Sequence, residues 1–120
     1  MALQRLDHFT VNCADLDRSR AFYSRVLELR DGERPPFPFP GAWLYAGERP
    51  VVHLVGDGSG ETATGAFDHV AFEAEDFAGT RSRFETLSIP FGENTVPGAR
   101  LRQLFVHDPD GVKIELNFRG

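Results

Sequence analysis

The sequence predicts an α+β fold built from two copies of one βαβββ module. Three observations predict it. The chain repeats itself: LDHFTVNCADLDRSRAFYSRVL from Leu6 aligns with FDHVAFEAEDFAGTRSRFETLS from Phe67, 61 residues later (67 − 6). In both copies period-2 patterning gives way to helical periodicity just after an acidic residue, Asp15 or Asp76. Short strand-like runs separated by turn chemistry then follow each helix.

Each copy opens as a strand. Phe9, Val11 and Cys13 share one face, as do Val70, Phe72 and Ala74, so His8 and His69 point the opposite way. Asp7 falls on Asp68, Arg20 on Arg81 and Tyr23 on Phe84. Asp15 and Asp76 are the expected N-caps. The first helix carries Leu16, Tyr23, Val26 and Leu27 as its apolar stripe, widened by Phe22; the second carries Phe77, Thr80, Phe84 and Leu87. Strands are expected over Leu29–Glu33, Ala42–Ala46 and Val51–Val55, then over Ile89–Thr95, Arg100–His107 and Val112–Phe118. Gly47-Glu48-Arg49-Pro50 and Asp108-Pro109-Asp110-Gly111 supply the turns between the last two of each set. Pro35-Pro36-Phe37-Pro38-Phe39-Pro40 cannot be a central strand, because proline lacks the ladder donor, and reads as an edge or loop. The modules are therefore 1–55 and 67–120, joined by a small-residue linker at 56–66, in one structural domain.

Composition narrows the partners. A hydrophobic share of 41% and a charged share of 26% belong to a globular chain, and eleven Phe supply apolar area for a compact core. A net charge of −5 argues against nucleic acid. No apolar run approaches the roughly 18 residues of a membrane span, and MALQRLDHFTVN alternates unlike a signal peptide. The single cysteine, Cys13, allows no internal disulfide, which points to a reducing compartment, the cytoplasm. A small-molecule ligand is what remains.

The repeat also pairs four chelating side chains. His53 in VVHLV and Glu115 in VKIEL occupy corresponding last strands, 62 residues apart (115 − 53), as His8 and His69 occupy first strands. Ile114, Leu116 and Phe118 set the apolar face of the last strand, so Glu115 opposes it; in VVHLV both faces are apolar and parity decides nothing. A carboxylate in such a strand needs a partner, which imidazoles provide when a cation sits between them. Three nitrogens and one carboxylate oxygen suit a single Ni, Zn, Co, Mn or Fe(II) ion rather than Ca. Taken singly, each histidine reads as hydrogen-bonded and half-buried and Glu115 as solvated; the repeat raises the four together above that. His107, just before a turn and with no ligand-type counterpart, reads as a hydrogen-bonding turn residue, and Cys13 as a small core hydrophobe.

With LDHFTVNCADLDRSRAFYSRVLEL, VVHLV, FDHVAFEAEDF and HDPDGVKIELNF in place, the chain resembles the vicinal oxygen chelate superfamily, which includes glyoxalase I, methylmalonyl-CoA epimerase, bleomycin-resistance proteins and extradiol dioxygenases. The resemblance spans nearly the whole chain. It implies modules curled into a cleft, one divalent transition metal per site held by His8, His53, His69 and Glu115, and a homodimer, with the ligands that meet drawn from one chain or from two. Glyoxalase I and the epimerase carry Glu or Gln where this chain has His53, and extradiol dioxygenases use only the equivalents of His8, His69 and Glu115. The resemblance implies metal-dependent proton transfer on a substrate chelated through adjacent oxygens, the chemistry of a lyase, isomerase or epimerase, with Glu115 as base and His53 as runner-up. An Fe(II) or Mn(II) dioxygenase of catechol-like substrates is the alternative, and a non-catalytic binding protein the third. Trp43, Tyr45, Phe37, Phe39 and Phe91 are candidates for an apolar pocket, and Arg34, Arg49 and Arg102 for holding an anionic group; each reads equally well as core or solvated surface.

Overall fold

The computed structural model describes residues 1, 4–56, 67, 69–96 and 100–120. It divides into two compact units, Met1–Thr62 and Ala63–Gly120. The first contains β1 (Phe9–Asn12), α1 (Leu16–Arg25), β2 (Arg30–Gly32), β3 (Gly41–Ala46) and β4 (Arg49–Val55). The second contains β5 (His69–Ala74), α2 (Phe77–Thr86), β6 (Gly92–Val96), β7 (Leu101–His107) and β8 (Lys113–Arg119). Each unit is thus the expected βαβββ module.

The sheets share one topology, β1-β4-β3-β2 and β5-β8-β7-β6. First and last strands of each module run parallel; the remaining pairs are antiparallel. The parallel pairings carry the same register in both copies, Thr10 opposite His53 and Ala71 opposite Glu115. A parallel pair needs a crossover, and the helix supplies it.

Asp15 caps α1 in extended conformation, its carboxylate accepting from Arg18 N at 3.1 Å. Asp76 caps α2 from a left-handed backbone at φ 65°, accepting from Gly79 N at 3.0 Å. The helices bury Tyr23 and Phe84, the corresponding pair, each fully removed from solvent; an aromatic so placed contributes about 2–3 kcal/mol of transfer free energy. Val11, Cys13, Tyr23, Leu44, Val52 and Leu54 are buried in the first unit, where Tyr23 meets Phe9 and Phe22 edge to face, and Phe84, Leu104, Val106, Ile114 and Leu116 are buried in the second. Cys13 is a buried core residue, as expected. Ser19 is also fully buried, a position that the apolar stripe did not include.

Several boundaries differ from the sequence reading. The strand expected from Leu29 starts at Arg30, because Leu29 N bonds back to Tyr23 O, and the strand expected from Ile89 starts at Gly92, because Ile89 N bonds back to Phe84 O. Both helices unwind through a non-glycine residue at positive φ, Glu28 (57°) and Ser88 (55°). Arg49 and Pro50 already belong to β4. Pro50 is tolerated there because its neighbour on β3 is offset by a bulge at Leu44/Tyr45 and β1 pairs only from Val52 onward. The proline-rich segment is a loop between β2 and β3. Of the expected linker, Gly56 is tied to Pro40 O, and 57–66 lie outside the described residues. Among the described residues no helix is long and apolar enough to cross a membrane.

Candidate metal centre

Strand alternation sorts the ligand candidates. On β8, Ile114, Leu116 and Phe118 are buried against the helix side while Lys113, Glu115 and Asn117 face the other way. On β4 the structure supplies the parity that the apolar run hid: Val52 and Leu54 are buried, and His53 lies on the opposite face with Val51 and Val55. His8 immediately precedes β1 and His69 begins β5. Each unit therefore places its two candidate ligands together on the face away from its helix.

In the second unit His69 Nε2 lies 3.7 Å from Glu115 Oε1. That separation is too long for a hydrogen bond. Two ligands each about 2.0–2.2 Å from a shared cation stand roughly 3.0–3.5 Å apart, so this spacing suits a bridging ion after a small adjustment. Glu115 keeps 16% of its side-chain surface exposed, and its other oxygen, Oε2, accepts from Asn117 Nδ2 at 2.9 Å.

In the first unit His8 Nδ1 lies 2.6 Å from Asp7 Oδ2. A carboxylate on Nδ1 fixes the tautomer and leaves Nε2 as the ligating nitrogen, the arrangement that metal-binding histidines favour. The His8 contact is also the main reason that the Asp7 carboxyl is held below its ordinary range. Sequence reasoning missed Asp7, whose one signal is that the Asp-His dipeptide recurs at Asp68-His69; Asp68 lies outside the described residues.

His53 is placed differently. Its ring stacks on His8 (centroids 3.8 Å, planes 12° apart) and on Trp43 (4.1 Å, 11°), and its Nε2 lies 3.0 Å from Pro50 O. Trp43 is its direct partner across the β3–β4 ladder. Lone pairs of parallel stacked imidazoles lie in separate planes and cannot aim at one ion, so His53 does not fit as a ligand until its ring turns. Burial, and secondarily His8, push its pKa below the ordinary histidine value, which keeps it neutral with Nδ1 as an acceptor. Within neither unit do three His, Cys, Asp or Glu side chains among the described residues gather into a metal-holding group.

The pocket candidates divide. Arg34, Trp43 and Tyr45, with Glu33 and Pro35, line a cavity of about 430 Å³ beside the His53 stack. Phe37 and Phe39 stack on each other at 5.3 Å, Arg34 lies against both, and Phe37 reaches Trp43 at 6.4 Å. Tyr45 OH donates to Glu33 O at 2.6 Å, which fixes that wall. For two of the candidates the packing reading holds. Phe91 packs on Phe84 and Arg81, and Arg102 lies over Phe77, because their positions put both on the helix side of the sheet. Arg49 is exposed at the start of β4, and His107 is the exposed last residue of β7, opposite Lys113, rather than part of the turn.

Comparison with known proteins agrees with the fold. A profile of the Glyoxalase/Bleomycin resistance protein/Dioxygenase superfamily matches residues 5–116. The chain is 34% identical to glyoxylase I 4 of Arabidopsis thaliana over 123 residues, covering 95% of this chain and 70% of that protein. It is 33% identical to the lactoylglutathione lyase of Salmonella typhimurium, covering 93% of this chain and 90% of the other. Among solved structures, a glyoxalase family protein from Bacillus anthracis superposes with a TM-score of 0.82 at 21% identity, covering 100% of this chain and 98% of the other. The chain belongs to the glyoxalase/bleomycin resistance protein/dioxygenase superfamily.

Proposed function

We propose that the protein is a divalent-metal-dependent enzyme of the glyoxalase type, moving a proton on a small substrate that presents two adjacent oxygens. The observation that carries this reading is the Glu115–His69 pair, set 3.7 Å apart on a parallel register that the first unit repeats around His8 and His53. The donor set, three imidazoles and a carboxylate, suits Ni, Zn, Co, Mn or Fe(II). When bound, such an ion supplies Lewis-acid polarisation of the substrate oxygens.

The protein's own groups do the rest. His8, oriented by Asp7, and His69 with Glu115 are the principal ligands; His53 is the fourth and weakest, since binding costs it the stack and the Pro50 contact. Glu115 takes the proton from the carbon beside the polarised carbonyl and returns it at the neighbouring carbon. The neutral His53, with Nδ1 as acceptor, is the alternative base. Trp43, Tyr45 and Arg34 offer the substrate's remaining arm an aromatic wall with one cation. The similarity to lactoylglutathione lyases supports this class of reaction. We further propose a homodimer, because β2 and β6 are edge strands among the described residues and a second chain can cover them, and a cytoplasmic location, which suits a chain with the single cysteine Cys13.

A second reading has an observation of its own. With His53 held in its stack, the candidates that remain, His8, His69 and Glu115, are of the residue types that make up the two-histidine, one-carboxylate set of Fe(II) oxygenases. Protein purified without chelators is therefore analysed for metal, then loaded with Ni(II), Zn(II), Co(II) or Mn(II) and assayed for isomerisation of α-ketoaldehyde–thiol adducts. Fe(II)-loaded protein is assayed anaerobically prepared, by oxygen uptake over a catechol panel. Isomerisation is the expected result. Oxygen consumption with ring cleavage and no isomerisation establishes the second reading, and protein that takes up no metal is a non-catalytic binder.

A further inference from the structure

Three amide side chains form a row across the second sheet and end on Glu115. Asn94 Nδ2 donates to Gln103 Oε1 at 2.9 Å, Gln103 Nε2 donates to Asn117 Oδ1 at 3.0 Å, and Asn117 Nδ2 donates to Glu115 Oε2 at 2.9 Å. The three stand directly opposite one another on β6, β7 and β8, on the face that carries His69 and Glu115. The direction of the row follows from its end. A carboxylate only accepts, so Asn117 must turn its NH2 toward Glu115 and its oxygen toward Gln103, which in turn must accept from Asn94. All three amide dipoles therefore point their positive ends toward the carboxylate, and each bond polarises the next.

Nothing in the module's folding calls for this row. In the first unit Gln103 and Asn117 correspond to Gly41 and Val55, 62 residues earlier and paired with each other in the same way, and these have no side-chain amides to link. That module closes with the same topology without them. The row occurs where the anionic member of the candidate ligand set stands.

We propose that Asn117, backed by Gln103 and Asn94, is a positioning residue that gives the two oxygens of Glu115 separate tasks. Oε2 is held by the amide row, and Oε1 is left facing His69 as a one-oxygen ligand that can let go to accept a proton while the carboxyl group stays in place. This inference rests on the reading of Glu115 as a metal ligand.

The experiment titrates metal-free protein with Co(II) alone and follows the visible absorption of the bound ion, with the thermal transition of the metal-free protein measured alongside. The variants are Asn117→Ala, Asn117→Ser, Gln103→Ala, Glu115→Ala and the Asn117→Ala/Glu115→Ala pair. Loss of an outer-shell partner typically weakens metal binding about 10–100-fold, and that loss is expected for Asn117→Ala. Asn117→Ser, whose hydroxyl can still donate, should recover part of it, and Gln103→Ala should lose a few-fold. The metal-free transition should stay near wild type, the cobalt spectrum should shift, and Asn117→Ala should add nothing once Glu115 is Ala. Should Asn117→Ala fail to fold, Asn117→Ser and Gln103→Ala against wild type decide the same question. If Glu115→Ala abolishes cobalt binding while the Asn117 and Gln103 variants bind as wild type with an unaltered spectrum, the positioning role is wrong and the ligand reading stands. If Glu115→Ala binds cobalt as wild type does, or wild type binds none, the ligand reading fails and takes this inference with it.

Discussion

Asp108 sets the strand that carries Glu115, and its removal should be felt throughout the second unit. Its side chain sits at 5% exposure, and Oδ1 accepts from the backbone N–H of Asp110 at 2.9 Å and of Val112 at 2.8 Å. The main chain closes the same turn, with Asp108 N bonding to Val112 O and Gly111 N to Asp108 O. Asp108→Ala leaves two N–H groups unsatisfied in a turn whose flanking residues are buried. At about 1.5 kcal/mol for each bond to a carboxylate, the loss is about 3 kcal/mol. At roughly 3–6 °C per kcal/mol for a chain of this size, the thermal midpoint should fall by about 9–18 °C. Asp108→Asn keeps Oδ1 as acceptor and gives up only the charge, so its loss should be about 1 kcal/mol. Calorimetry or far-UV circular dichroism on both variants checks this. An Asp108→Ala protein melting within about 3 °C of wild type would refute the assignment of this side chain as the turn's internal acceptor.

Three further outcomes follow from local geometry. His53 resists protonation in the folded state, so its folded pKa lies below its unfolded value near 6.5. The unfolded chain then binds more protons, and metal-free protein should lose stability as pH falls below about 6.5 until the lowered folded value is passed. His53→Gln should flatten that slope, and Trp43, the one tryptophan, should report the titration by fluorescence because its ring lies 4.1 Å from His53. Ser88→Gly should stabilise by up to about 1 kcal/mol in thermal melts, since Ser88 sits at φ 55° where glycine carries no penalty. Gly79→Ala should be near neutral. The usual gain of about 1 kcal/mol for Ala in a helix is offset by a methyl driven into the capping carboxylate of Asp76, whose bond to Gly79 N is worth about as much.

Much of the architecture was legible because it was written twice. The 61-residue offset, the two acidic caps and the alternation on β1, β5 and β8 place every element and the side of the sheet on which His8, His69 and Glu115 stand. Parity failed only at VVHLV, where Val51 and Val55 share the face of His53 and are half-buried rather than polar. What could not be read is whatever depends on register between strands. The Trp43–His53 stack comes from a β3–β4 pairing that is set by a bulge, and the amide row joins residues from three strands with nothing local to mark them. Arg102 went to the helix side for the same reason: composition says what a side chain could do, and strand parity decides where it points.

The two units hold their candidate ligands by opposite means, and the difference bears on how many ligands a bound ion would have. Glu115 is kept in place by hydrogen bonds that leave Oε1 facing His69. His53 is kept by flat aromatic contact on both faces and by Pro50 O, a placement that must be given up before the ring can bind an ion. Weakening the stack from the Trp43 side should therefore make ligation easier without touching any ligand. An aromatic stack is worth about 0.5–1.5 kcal/mol beyond its buried area, which converts to roughly a 2- to 12-fold tighter Co(II) affinity for Trp43→Leu, a change that keeps apolar bulk. His53→Ala, by contrast, should weaken binding modestly, and Glu115→Ala severely, because the anionic member of the candidate set is gone. Calorimetric or spectral titration with Co(II) reads all three. If Trp43→Leu and His53→Ala both bind as wild type, His53 stays off the ion. The three-ligand set then stands, three positions on an octahedral ion are left for substrate and dioxygen, and the oxygenase reading displaces the isomerase one.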